Sequence, residues 1–240
     1  MPDASVDTTK NAIREKVWAL LEDAKVVEPG VRGHIPAFAG AEEAADRLAA
    51  LPDWKAADVV KIVPDRAQLP VRTRALADGK LVYMAAPALA AMQPFYLLDP
   101  ADLHVSPAEA ADKDVAVHVG REVSLEEMTR VDLVVCGSVA VNRRGVRVGK
   151  GAGYSDIEVA LLTEAGLLTD ETTIITTAHS LQVIDDQIPE TSHDFSVDVI
   201  VTQDEMIRCT PPRRPSEIQE EQLDEAMIAA IPVLARRFGA

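Results

Sequence analysis

Arg147-Val148-Gly149-Lys150-Gly151-Ala152-Gly153-Tyr154-Ser155-Asp156 lies between a strand-like apolar run and a helix-like run. Glycine at every second position, 149, 151 and 153, leaves the backbone without β-carbons, so its N–H groups can approach an anion closely. Arg147 and Lys150 add positive charge to a chain whose formal net charge is −15. The stretch reads as a phosphate cradle. A plain turn is the alternative, because the spacing follows neither the Walker pattern nor the dinucleotide fingerprint.

Working outward, Val131 to Gly137 forms a buried-strand pattern, and Val139-Ala140-Val141 extends it or pairs with it before an Arg143-Arg144-Gly145 turn. Downstream, Ser155-Asp156-Ile157-Glu158 fits a capping box that opens a helix through Leu162 and ends near Gly166. This gives Asp156 a wholly structural reading as a helix-start residue. Further strand patterns are Val59 to Val63, Lys80 to Met84, Thr173 to Thr177 and Val197 to Thr202. Helical patterns cover Asp7 to Lys25, capped by Asp7 or Thr8, then Ala41 to Leu51 and Leu69 to Ala77. Strands alternating with helices predict a three-layer α/β domain over 1–240, with a mostly parallel central sheet and helices on both faces.

Other segments are less regular. Val31 to Gly40 reads as an ordered loop, in which His34 serves a ligand or a local hydrogen bond. Pro87, Pro94, Pro100 and Pro107 interrupt residues 85–130, which predicts a functional loop region. Met92, Phe95 and Tyr96 within it form either a pocket wall or a satellite core. Glu217 to Phe238 reads as one long or bent helix adjusted around Pro232. Lys10 and Arg14, four residues apart, project from one side of the first helix, as a solvated pair or as ligand-binding cations.

The 240 residues suffice to bury a core, and 48% hydrophobic with 26% charged residues is the composition of a globular protein. The acidity argues against nucleic-acid binding and against anionic membrane surfaces. Two distant cysteines, Cys136 and Cys209, form neither a disulfide framework nor a zinc pattern. No segment has the length of a signal peptide's apolar core or a bilayer span, so the expected location is cytoplasmic.

The glycine loop resembles the hallmark of the 5-formyltetrahydrofolate cyclo-ligase family, an arginine, three alternate glycines and Tyr-Tyr-Asp-Arg; Arg147, Gly149, Gly151, Gly153, Tyr154 and Asp156 match it. Lys10 with Arg14 matches the family's opening block. Gln187, Pro189, His193-Asp194 and Val199-Ile200-Val201-Thr202 match its closing one. Ile13 to Trp18, His34 to Phe38, Gly137 to Val141 and Gly149-Lys150-Gly151 are closer still to the methenyltetrahydrofolate synthase domain-containing branch. Some members of that branch carry an RNA-recognition domain, for which this length leaves no room. Ser155 stands for the second tyrosine and Ile157 for the final arginine, with Lys150 as a substitute cation, and no folate-holding glutamate is evident in Pro64 to Arg72.

The resemblance implies the fold of sugar-phosphate isomerases and CoA transferases, and ATP- and Mg²⁺-dependent conversion of 5-formyltetrahydrofolate to 5,10-methenyltetrahydrofolate. It implies that Lys10, Arg14, Arg147, Gly149, Lys150, Gly151, Ala152, Gly153, Tyr154 and Ser155 bind ATP, with Arg147 and Lys10 catalytic. Asp156 would hold Mg²⁺, and Met92, Phe95 and Tyr154 the folate. The rival expectations are nucleotide or folate binding without turnover, and an ATP-dependent reaction on another small substrate.

Overall fold

The computed structural model of the chain describes residues 4–209 and 213–239. In chain order the elements are α1 (Ala4–Asp23), α2 (Ala41–Ala49), α3 (Pro52–Ala56), β1 (Val59–Ile62), α4 (Leu69–Ala77), β2 (Leu81–Ala85), β3 (Phe95–Leu98), α5 (Pro107–Ala111), α6 (Lys113–Val119), β4 (Arg121–Val123), β5 (Leu133–Cys136), β6 (Ala140–Asn142), β7 (Arg147–Val148), α7 (Tyr154–Glu164), β8 (Thr173–Thr177), β9 (Val183–Ile184), β10 (Val199–Val201), β11 (Met206–Arg208), α8 (Glu225–Ala230) and α9 (Pro232–Phe238). The main sheet has the order β11-β10-β8-β5-β1-β2-β3-β4. Pairings from β10 through β8, β5 and β1 to β2 are parallel, and those outward to β11, β3 and β4 are antiparallel.

The central strands are apolar on both faces because helices cover both. Val60, Ile62, Val82, Met84, Leu133 and Val135 pack with Leu48 of α2, Trp54 of α3 and Val71 of α4. The alternate residues Tyr83, Ala85, Val134 and Cys136 pack instead with Val159 and Leu162 of α7 and Leu234 of α9. Full burial of each Val or Leu stabilises the fold by about 1.5–3 kcal/mol, so this two-sided apolar pattern sets the three layers. The predicted α/β class is the observed one.

Several local expectations are corrected. Val139 to Val141 does not join the main sheet: β6 pairs with β7 and β9 in a separate sheet. Ile13, Val17 and Leu21 of α1 cover that sheet through Ala140 and Val148. Helix α1 begins at Ala4, so Asp7 lies in its first turn, where its charge complements the helix dipole, and neither Asp7 nor Thr8 is the cap.

Residues 85–130 hold β3, α5, α6 and β4, and Pro107 is the first residue of a helix that Ser106 and Glu109 cap reciprocally. Proline there starts an element, since an N1 residue needs no N–H. The C-terminal stretch is likewise two helices, α8 capped by Asp224 and α9 opened by Pro232. Among the described residues, no helix is long and apolar enough to cross a membrane.

Candidate active site

The glycine loop leaves β7 and enters α7, beside the carboxyl ends of β1 and β2. Gly151 and Gly153 have φ of 102° and 71°, a left-handed conformation that residues with a β-carbon rarely adopt. A β-carbon on Gly149 would lie 2.7 Å from Arg147 Nη2. Gly153 is itself the N-cap of α7, and no side chain caps that helix. The predicted capping box is therefore absent: Ser155 falls inside the first turn, and Glu158 is engaged elsewhere. The first N–H groups to close a turn are those of Asp156 and Ile157, both onto Gly153 O. Those of Tyr154 and Ser155, ahead of them, are the ones a helix start leaves for an anion.

Arg147 is buried. Its Nη2 donates to Gly137 O at 3.1 Å, its Nη1 lies 3.5 Å from Asp156 Oδ1, and its guanidinium stacks 4.7 Å from the centre of the Phe195 ring. Its Nε is buried and finds no acceptor among the described residues. Arg14 reaches the loop from α1, donating from Nε to Gly149 O at 2.7 Å. Desolvation lowers the Arg14 pKa and neighbouring Arg147 lowers it further, against the pull of Asp7.

Lys10 is buried rather than solvated, with Nζ 2.6 and 2.7 Å from the two Asp194 oxygens. Burial, the largest single influence on Asp194, raises its pKa, but hydrogen bonds from Lys10 and Thr191 outweigh it and hold the carboxyl below its usual range. Lys150 Nζ lies 3.2 Å from Asp65 Oδ1. Ile157, at the hallmark's arginine position, is buried in the apolar layer and offers no cation.

Two cavities meet at this loop. The smaller, about 190 Å³, is lined by the glycine loop with four cations, Lys10, Arg14, Arg147 and Lys150, and five carboxylates, Asp7, Asp65, Asp156, Glu158 and Asp194. The larger, about 1130 Å³, runs between the loop containing His34, the Pro64 to Arg72 stretch and α6. Pro64, Asp65, Ala85, Pro87, Lys150 and Tyr154 border both.

The structure thus brings together Lys10, Arg14, Arg147, the loop, Tyr154, Ser155 and Asp156. Met92 and Phe95 border neither cavity. Strand alternation turns Phe95 into the apolar layer under α7, fully buried, and Met92 is 48% exposed on the surface. His193 and Asp194, which match the family's closing block, line the smaller cavity, and Asp194 also accepts from Thr191 N and Oγ1 in a local turn; sequence reasoning missed Lys61, Asp65 and Glu158. The separation of 184 positions between Lys10 and Asp194 leaves no local signal to find.

Asp156 suits a hard divalent cation. Among the described residues no three His, Cys, Asp or Glu side chains form a cage. Mg²⁺ needs only one or two carboxylates when phosphate oxygens and water complete its shell. Burial raises the Asp156 pKa, Arg147 works against this, and Asp194 adds to it. For an acid raised on folding, stability is greatest while it is protonated and falls as pH rises through and above the ordinary carboxylate range. Asp156→Asn is therefore expected to raise the Tm of the ligand-free protein at neutral pH while removing the metal dependence of nucleotide binding. Calorimetric scans and titrations with and without Mg²⁺ check both halves.

A glycine cradle, clustered cations and a half-buried aspartate meet at the sheet's carboxyl edge, a site in an α/β protein that suits an anion. Comparison with known proteins makes the class specific: the model of the 5-formyltetrahydrofolate cyclo-ligase family matches residues 6–203, and the chain belongs to that family of ligases. It is 35% identical to the methenyltetrahydrofolate synthase domain-containing protein of Danio rerio over 95% of this chain and 61% of that protein. To the protein of the same name from Homo sapiens it is 32% identical, over 98% of this chain and 62% of that one. The chain therefore spans about three fifths of the length of these relatives. The NMR structure of Aquifex aeolicus 5,10-methenyltetrahydrofolate synthetase shares the fold, with a TM-score of 0.54 at 22% identity over 90% of this chain and 99% of that one.

Proposed function

We propose that the chain, as one cyclo-ligase-like domain over 1–240, converts 5-formyltetrahydrofolate to 5,10-methenyltetrahydrofolate in the cytoplasm with ATP and Mg²⁺. The observation that carries this reading is the junction at the glycine loop of a small, charged cavity with one of about 1130 Å³, large enough for a folate. Family membership and the names of the relatives support the same substrate. The net charge of −15 favours small molecules over nucleic acid or anionic membranes as partners.

In this reaction the formyl oxygen takes the γ-phosphoryl group of ATP, and N10 then attacks the activated formyl carbon. The C–O bond breaks, that oxygen leaves with phosphate, and the N10 proton is released, giving ADP, phosphate and the methenyl product. Lys10, Arg14 and Arg147 offset phosphate charge, and the N–H groups from Gly149 to Ser155 hold phosphate oxygens. Lys150 exchanges Asp65 for phosphate, in place of the arginine that Ile157 lacks. Tyr154, bordering both cavities, lies against the folate ring. Asp156 would hold Mg²⁺, which would supply charge that neutralises the phosphates. Four cations facing five carboxylates leave little net attraction for free ATP, which is why the metal complex is the form bound.

Appearance of the methenyl absorbance when purified protein meets 5-formyltetrahydrofolate with Mg-ATP tests the reading. Product that requires both ATP and Mg²⁺ is expected. Binding of both ligands without product would instead support a non-catalytic binding protein, and nucleotide binding without folate binding an enzyme for another small substrate.

A further inference from the structure

Lys61 stands in the middle of β1 with its side chain 1% exposed, and it forms an ion pair with Glu158 of α7, 7% exposed. The pair lies in a layer otherwise built from Tyr83, Val134, Cys136 and Leu162. Two well-packed apolar residues of similar size would stabilise that layer as well or better, because both charges have lost their water. Glu158 supplies a reason for keeping the pair. Its Oε2 accepts from Lys61 Nζ, whereas its Oε1 takes no hydrogen bond among the described residues. Glu158 also forms part of the wall of the smaller cavity, together with Val63 and Ala85. Oε1 is not fully buried and so meets the water of that cavity, and a ligand that displaces this water must bring a donor or leave the acceptor unsatisfied. A donor on the ligand avoids that cost.

The donor cannot be a phosphate chain, whose ionised oxygens only accept and are repelled by a carboxylate. We propose that Glu158 Oε1 accepts a hydrogen bond from an N–H or O–H group of the organic molecule held beside the phosphates. Glu158 is then a specificity residue, selecting a nitrogen heterocycle with N–H donors over one that presents an anionic edge. Lys61 is a positioning residue: it fixes the carboxylate and supplies its counter-charge from behind, so the ligand need not bring one. This inference rests on the folate reading above, in which the pterin ring brings such donors.

Glu158→Gln keeps the shape and an acceptor for Lys61 but turns an amide donor toward the cavity. Calorimetric titration with 5-formyltetrahydrofolate, in the presence of Mg²⁺ and a non-hydrolysable ATP analogue, is expected to show affinity weakened by about tenfold or more. The Kd of the analogue itself should stay unchanged. Lys61→Met/Glu158→Leu, which carries no buried charge there, provides a second folded variant with the same expected loss. Unchanged folate affinity in either folded variant overturns the inference and leaves the cyclo-ligase reading intact. A loss confined to the analogue also overturns it, by moving Glu158 to the nucleotide. Wild-type protein that binds the analogue but not the folate overturns both.

Discussion

Arg147→Ala is expected to lower kcat/KM for ATP-dependent methenyl formation by about 10³-fold, the scale seen when a preorganised donor to developing charge is lost. The guanidinium is held by Gly137 O, by Asp156 and by the Phe195 ring, and its Nε has no acceptor among the described residues. A planar cation so immobilised at the entry to the glycine loop meets an anion without further ordering. Alanine removes the charge and strips Asp156 of its nearest counter-ion, so metal-dependent nucleotide binding should fall as well. Arg147→Lys retains the charge but not the fork of donors, and should fall between the two. Steady-state kinetics check the series, with circular dichroism to establish that each variant is folded. Wild-type kcat/KM in folded Arg147→Ala would remove the loop from the mechanism.

Gly145→Ala should give the largest loss of stability, about 3 kcal/mol or more, seen as a Tm lower by roughly 8 °C. Gly145 has φ of 89°, and a β-carbon there would meet Val197 O at 2.2 Å and Cys209 Cβ at 2.9 Å. Relief by a side-chain rotation is not available, because Val197 O is backbone and Val197 N already donates to Gly145 O at 2.9 Å. The turn must shift, and with it Arg147 two residues later. Gly33→Ala is the matching control: its φ is 80°, but nothing lies within 4 Å, so only the backbone strain of about 1 kcal/mol remains. Thermal scans of both variants separate steric conflict from left-handed strain. Equal losses would show that the approach of Val197 to Gly145 is unimportant.

Much of the fold was legible. Leu69 to Ala77 was expected as a helix and is α4, and the runs around Val60, Val82, Val134, Ile175 and Ile200 are the parallel centre of the sheet. Such runs are visible because a strand buried on two faces must be apolar at nearly every position. The errors lie where one local pattern serves two structures. Val139 to Val141 is as apolar as a main-sheet strand, but it pairs with β7 and β9 and is covered by α1. Ser155 to Glu158 has the letters of a capping box, but Gly153 begins the helix earlier and Lys61 claims the glutamate.

What the sequence determined by itself about this protein is the local part: the strand and helix periods, the backbone freedom of Gly149, Gly151 and Gly153, and the placing of Arg147 and Asp156 at the two ends of that loop. These follow from side-chain shape and from neighbours within a few residues. The tertiary structure alone decided the partners across the site, Lys10 with Asp194, Lys61 with Glu158 and Lys150 with Asp65, separated by 184, 97 and 85 residues. It also moved Phe95 into the core and opened a second cavity beside the loop. Such pairings depend on which strands become neighbours, and that order is set by burying the apolar faces of the whole chain at once.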